Sequence, residues 1–173
     1  MKDRAFVFQD ELRYGTRTQL KRRWTPQKVR PAGNMKLGYE WGYLYAAIEP
    51  NTGQLYAYLL PNMSKASFQA FLKEFAQDVN GKRLLITDGA ASHRSNLAIP
   101  PGIDLQLLPP YCPELNPVER FFQELRKALA NRIYDDLQQV EQIIEEQLQQ
   151  YWQKPYRIKQ LTDWHWFHLD NLG

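Results

Sequence analysis

Cysteine, histidine and long apolar runs are all scarce in this chain. Cys112 is the single cysteine among 173 residues. No internal disulfide can form, which suits a reducing cytoplasm. A zinc centre built from several thiolates is excluded for the same reason. No run approaches the roughly eighteen apolar residues that a membrane-spanning helix needs. The chain opens Met1-Lys2-Asp3-Arg4 and goes straight into a strand-like run, without the apolar core and small-residue cleavage site of a signal peptide. The expectation is a cytoplasmic protein with no membrane partner. There is no internal repeat and no low-complexity tract. Acidic residues are missing altogether from Leu12 to Tyr39.

What is present is an ordinary globular balance, 43% hydrophobic and 24% charged. The length suits one domain, able to hide about 70% of its unfolded surface. Net charge is only +3, with a pI near 8.9, but the charge is segregated. The acid-free stretch holds Arg13, Arg17, Lys21, Arg22, Arg23, Lys28, Arg30 and Lys36, while negative charge gathers near Asp135–Glu146. Such a lobe suits phosphates; the plainer reading is a solvated loop. Trp24, inside the basic segment, either stacks on a base or anchors the loop.

Patterning predicts the elements. Ala5–Phe8 is a short buried strand that ends in Gln9-Asp10-Glu11. The basic segment, with Gly15, Pro26, Pro31 and Gly33, reads as a long loop or irregular hairpin. Glu40–Glu49 and Gln54–Leu60 form a hairpin about the turn Pro50–Gly53. Ser64 caps a helix whose apolar stripe is Phe68, Phe71, Leu72, Phe75 and Val79, stopped by Asn80-Gly81. Leu84–Thr87 is a buried strand ending in Asp88, and Ile103–Leu108 is another. Asn116-Pro117-Val118-Glu119 is a strong helix start, continued by Phe121, Phe122, Leu125, Leu129 and Ile133. A second amphipathic helix covers Leu137–Tyr151. This order implies an α/β fold, a mixed sheet with an antiparallel hairpin and parallel strands, flanked by helices. Residues 1–152 are expected as the domain, and 153–173 as an aromatic tail packing on it or on a partner.

Three carboxylates hold telling places. Asp10 closes the first strand, Asp88 closes the strand after the first long helix, and Glu119 lies in a helix's first turn. In open α/β sheets, sites gather at the carboxyl ends of strands. Adjacent parallel strands would set Asp10 beside Asp88, and a helix across that edge would bring Glu119. Clustered carboxylates raise one another's pKa, and a hard divalent cation relieves that repulsion. Each also has a bland reading: Asp10 as a turn acid, Asp88-Gly89 as a turn dipeptide, Glu119 as a capping residue. His93 reads as a general base, a phosphate contact or a packed imidazole.

The motifs themselves resemble a known family. Asp88-Gly89-Ala90-Ala91-Ser92-His93-Arg94-Ser95 resembles the second-aspartate motif of the mariner-type DDE transposases of bacterial insertion sequences. Leu108-Pro109-Pro110-Tyr111-Cys112-Pro113-Glu114-Leu115-Asn116-Pro117-Val118-Glu119 resembles their third motif, and Phe8-Gln9-Asp10-Glu11 their first. Asp10 to Asp88 spans 78 positions and Asp88 to Glu119 spans 31, slightly short of the usual pattern, so the Ile99–Asp104 loop is read as trimmed. Cys112 replaces the more usual Ser.

The resemblance implies a ribonuclease H-like fold. It also implies two Mg²⁺ (or Mn²⁺) ions held by Asp10, Asp88 and Glu119 as catalytic residues and metal ligands. His93 and Asn116 become site neighbours. Arg13, Arg17, Lys21, Arg22, Arg23, Trp24, Lys28 and Arg30 become DNA contacts. Glu11 is left out because its side chain should point to the strand's other face. The implied reaction is phosphodiester cleavage and strand transfer on double-stranded DNA, at transposon ends and target. Only Met1–Arg4 precede the first strand, so the catalytic half alone is expected. Partners left open are a separate helix-turn-helix chain and a second copy. Two alternatives stand beside it: a non-catalytic DNA-binding or assembly relic, and a ribonuclease H-like nuclease acting on RNA–DNA hybrids.

Overall fold

Ala5–Gly15 is one long strand, β1, in the computed structural model, which describes residues 5–22, 25–28, 34–90, 96–110 and 112–163. It runs past the short apolar segment that marks it in the sequence. Its partners explain the extra length. β2 (Trp41–Glu49) pairs with it antiparallel from Phe8↔Ile48 out to Gly15↔Trp41. β4 (Arg83–Thr87) pairs with it in parallel only from Ala5↔Arg83 to Phe8↔Ile86. Beyond Phe8, β2 continues to pair with β1 out to Gly15, and that suffices to keep it extended. Asp10 therefore does not close the first strand; it lies inside it, just past the point where β4 drops away.

β3 (Gln54–Leu60) completes the hairpin with β2. In the turn, Gly53 has φ +78°, and an added Cβ would stand 2.1 Å from the Pro155 carbonyl oxygen, so only glycine fits. β5 (Ile103–Leu107) adds in parallel to β4, and the five described strands run β3-β2-β1-β4-β5. The mixed sheet expected from the element order is present.

Helices cover both faces. α1 (Lys65–Asp78) is capped by Ser64, whose side chain accepts the Ser67 N–H. It buries Phe68, Phe71, Leu72 and Phe75 against Val7, Tyr45, Ala47 and Leu85. The opposite face carries α2 (Val118–Leu129), α3 (Leu137–Gln153) and α4 (Tyr156–Thr162), packed on Phe8, Leu12, Leu44 and Ile48. α2 is shorter than its apolar stripe predicts. Asn131 takes a left-handed conformation (φ 59°) that turns the chain toward α3, leaving Ile133 exposed. α4 lies where the sequence shows no clear period, and its Ile158 and Thr162 are buried. The Trp152 indole N–H donates to the Leu55 carbonyl at 2.8 Å, covering part of the β3 edge. Trp164 and Trp166 lie outside the described residues. Among the described residues no helix is long and apolar enough to cross a membrane.

Candidate active site

The register of the parallel pair sets the geometry. Phe8 is opposite Ile86, the last pair. Continuing that register brings Asp10 level with Asp88, which follows the end of β4. Alternation then decides the faces. Phe8, Asp10 and Leu12 share the face toward α2; Val7, Gln9 and Glu11 share the other. On that other face Thr87 Oγ1 donates to Gln9 Oε1 at 2.5 Å, and both residues are fully buried. This bond ties the two strands together directly behind their acidic residues.

Asn116 brings in the third carboxylate. Its Nδ2 donates to the Gln9 carbonyl at 2.9 Å, and its Oδ1 accepts the Val118 N–H at 3.2 Å. One buried side chain thus caps α2 and ties the helix start to β1 next to Asp10. Pro117 already has helical angles (φ −65°, ψ −18°), as a proline at a helix start should. Replacing Asn116 by Ala removes the cap and leaves the buried Gln9 carbonyl without its partner. We expect this to cost about 2 kcal/mol; urea unfolding followed by circular dichroism measures it.

Asp10, Asp88 and Glu119 line one cavity of about 490 Å³, walled by Leu108, Pro110 and Cys112. Asp10 Oδ1 accepts the Glu11 N–H at 2.8 Å, and Asp88 Oδ1 accepts the Ala90 N–H at 3.0 Å. Burial pushes the Asp10 carboxyl up from 3.8 to about 7, a shift the Glu11 N–H moderates and the negative charges of Glu11, Glu119 and Asp88 increase. Glu119 does not act as a reaching-back cap; its Oε2 takes a hydrogen bond from Arg126 Nη1 at 3.0 Å. The donor set is all oxygen, and Asp10 is destabilised as an anion by its surroundings, so the cavity suits a hard divalent cation. Among the described residues, however, no three acidic, histidine or cysteine side chains stand close enough together to hold one ion.

Residues 5–141 match the DDE superfamily endonuclease family. The chain belongs to that family. Among its relatives, an uncharacterized protein of Sinorhizobium fredii, y4pE/y4sA, is 37% identical over 100 residues, covering 56% of this chain and 74% of the relative. The fold is that of the Mos1 transposase. A Mos1 paired-end complex with the left transposon end aligns at TM-score 0.65 and 16% identity, over 94% of this chain and 54% of that one. The Mos1 mariner paired-end complex with Mn aligns at 0.63 and 17% identity, over 92% and 54%. The chain thus spans about half the length of the Mos1 chains, and the ribonuclease H-like architecture is the part they share.

The other sequence-predicted residues fare unevenly. Arg17, Lys21, Arg22 and Lys28 are exposed. Arg13 is exposed too, with its guanidinium 3.9 Å from the Trp41 ring centroid. Lys36, by contrast, is used structurally: its Nζ donates to the Tyr134 and Asp135 carbonyls at 2.8 and 3.1 Å. The segment is an irregular hairpin where described, with the Thr16 and Thr18 N–H groups donating to the Glu40 and Lys36 carbonyls. Arg23, Trp24, Arg30 and His93 lie outside the described residues. Sequence reasoning overlooked the Gln9–Thr87 bond and Arg126. Arg126 follows Glu119 by seven positions, two helical turns, and that spacing was the available signal.

Proposed function

We propose that this chain is the catalytic domain of a DNA transposase, cutting phosphodiester bonds at transposon ends and joining the freed 3′-hydroxyl to target DNA. One observation carries the reading: three carboxylates from three elements far apart in sequence meet in one cavity where β4 leaves β1. The family membership and the Mos1-like fold support it, as do the transposon-end DNA and the Mn in those Mos1 complexes. Asp10, Asp88 and Glu119 would hold two divalent cations, Mg²⁺ or Mn²⁺. Such ions, when bound, favour the attacking oxygen and offset the charge that develops at phosphorus.

The chain's own residues supply the rest. The Gln9–Thr87 bond and Asn116 would fix the backbone positions from which the three acids project into the cavity. The exposed Arg17, Lys21, Arg22 and Lys28, with Arg13, Arg23, Arg30 and Trp24, would position duplex DNA through its backbone. Reading of the ends is assigned to a helix-turn-helix segment or chain outside these residues, and pairing of ends to a second copy.

Supercoiled plasmid carrying the element's ends, incubated with the protein and Mg²⁺ or Mn²⁺, should give nicked and linear products bearing 3′-hydroxyls. Ca²⁺ and EDTA should give none. Cleavage in EDTA, or cleavage of RNA–DNA hybrid alone, would rule the reading out. For the basic segment, the double change Lys21→Ala and Arg22→Ala should lower the slope of log affinity against log salt by about 2 on non-specific duplex. Fluorescence anisotropy across a salt series measures it, and an unchanged slope removes both residues from the interface.

A further inference from the structure

All three acids line one cavity, yet no three of the described acidic, histidine or cysteine side chains stand close enough to hold an ion. One contact along α2 bears on this. Glu119 and Arg126 fall two turns apart on one face of the helix. The Arg126 side chain passes Phe122, its guanidinium 5.9 Å from the ring centroid, and meets Glu119 Oε2 at 3.0 Å. Both side chains are about one-third exposed, 33% and 35%, so water reaches the pair and can help exchange it. The neighbouring Lys127 is engaged elsewhere, with Glu124 at 2.5 Å.

We propose that Arg126 is a positioning residue for Glu119. It holds the third carboxylate along α2 in the metal-free protein and gives it up to a divalent cation when the site loads. The inference rests on the reading of Asp10, Asp88 and Glu119 as the metal-holding set. A guanidinium and a metal ion compete for the same carboxylate oxygens, and one positive charge at Glu119 opposes the arrival of another. The cation affinity is therefore weaker than three uncommitted carboxylates would give, and binding is coupled to opening one ion pair.

Calorimetric titration with Mn²⁺ alone, with free Mn²⁺ counted by electron paramagnetic resonance, tests this without any activity measurement. Arg126→Met keeps an apolar stem beside Phe122 and removes the charge. It should bind Mn²⁺ about fivefold more tightly than wild type, equivalent to about 1 kcal/mol for a partly exposed ion pair. The gain should vanish in Arg126→Met combined with Glu119→Gln, because the effect runs through that carboxylate. Arg126→Gln serves the same purpose if the methionine variant fails to fold. Equal or weaker Mn²⁺ binding by a folded variant overturns the exchange, as does a gain that persists with Glu119→Gln. Asp10→Asn separates the two levels of the argument. Mn²⁺ binding that survives it unchanged removes the carboxylate site and this inference together. Binding lost in Asp10→Asn but unmoved in Arg126→Met removes only the exchange.

Discussion

Asp88→Asn should leave the protein folded and lower divalent-dependent nicking of duplex DNA by at least about a thousandfold. Asp88 follows β4, is exposed to solvent and contributes nothing to either hydrophobic cluster. An asparagine keeps an oxygen for the bond that Asp88 Oδ1 accepts from Ala90, so local geometry should persist. What disappears is one negative charge in the cavity shared with Asp10 and Glu119. A neutral amide oxygen is a much poorer ligand for a hard cation, and the deficit falls on the charge that grows at phosphorus. The comparison is made on circular dichroism spectra, melting curves and single-turnover nicking of the same preparations. Nicking that persists in clean Asp88→Asn protein would remove the assignment of the site.

Asp10→Asn should raise the melting temperature of the metal-free protein at pH 8 by about 10 °C, with the difference from wild type shrinking toward zero as pH falls to about 4. The direction follows from the raised carboxyl. Asp10 titrates near 7 in the fold against 3.8 ordinarily, so between those values the native state holds a proton that the unfolded chain has released. Native stability from this group is complete only below about pH 4 and is lost as pH climbs through 7, by roughly 4 kcal/mol at most. Asparagine stays neutral throughout and avoids the loss. Adding Mn²⁺ at pH 8 should invert the order, since wild type gains stability from the ligand and Asp10→Asn does not. Melting temperatures taken from pH 4 to pH 8, with and without Mn²⁺, contain both results. A pH-independent gap between the proteins would mean that Asp10 titrates as an ordinary carboxylate.

The same change is thus expected to stabilise the fold and destroy the chemistry. An acid held partly buried among other acids opposes folding until a cation compensates it. The surrounding bonds keep it there: Asn116 on the Gln9 carbonyl, and Thr87 on the Gln9 side chain. On the proposed reading, the site is a place where local consistency yields to function.

Much of this was legible from residue order, because short-range patterns report short-range structure. The phenylalanine stripe between Ser64 and Asn80-Gly81 is one helix face. Pro50–Gly53 is a turn for the reason that Gly53 shows, a left-handed residue against the Pro155 carbonyl. Asn116-Pro117 opens a helix whose first turn contains Glu119. The acid-free stretch marked a basic, irregular hairpin, though it could not show that Lys36 serves the Tyr134 and Asp135 carbonyls rather than a ligand.

Other features have no local signature. β1 continues past Gln9-Asp10-Glu11, a polar break in the sequence, because β2 keeps pairing with it to Gly15. α4 is too short for its period to stand out from an aromatic tail, and the core that takes Ile158 settles it. Sequence alone named the three acids and the helix that carries the third. Only the tertiary structure decided that β1 lies between β2 and β4, that Asp10 falls level with Asp88 as β4 ends, and that Asn116 reaches the Gln9 carbonyl. Those outcomes depend on which strands become neighbours and on side chains meeting across distance, interactions that periodicity along a chain does not encode.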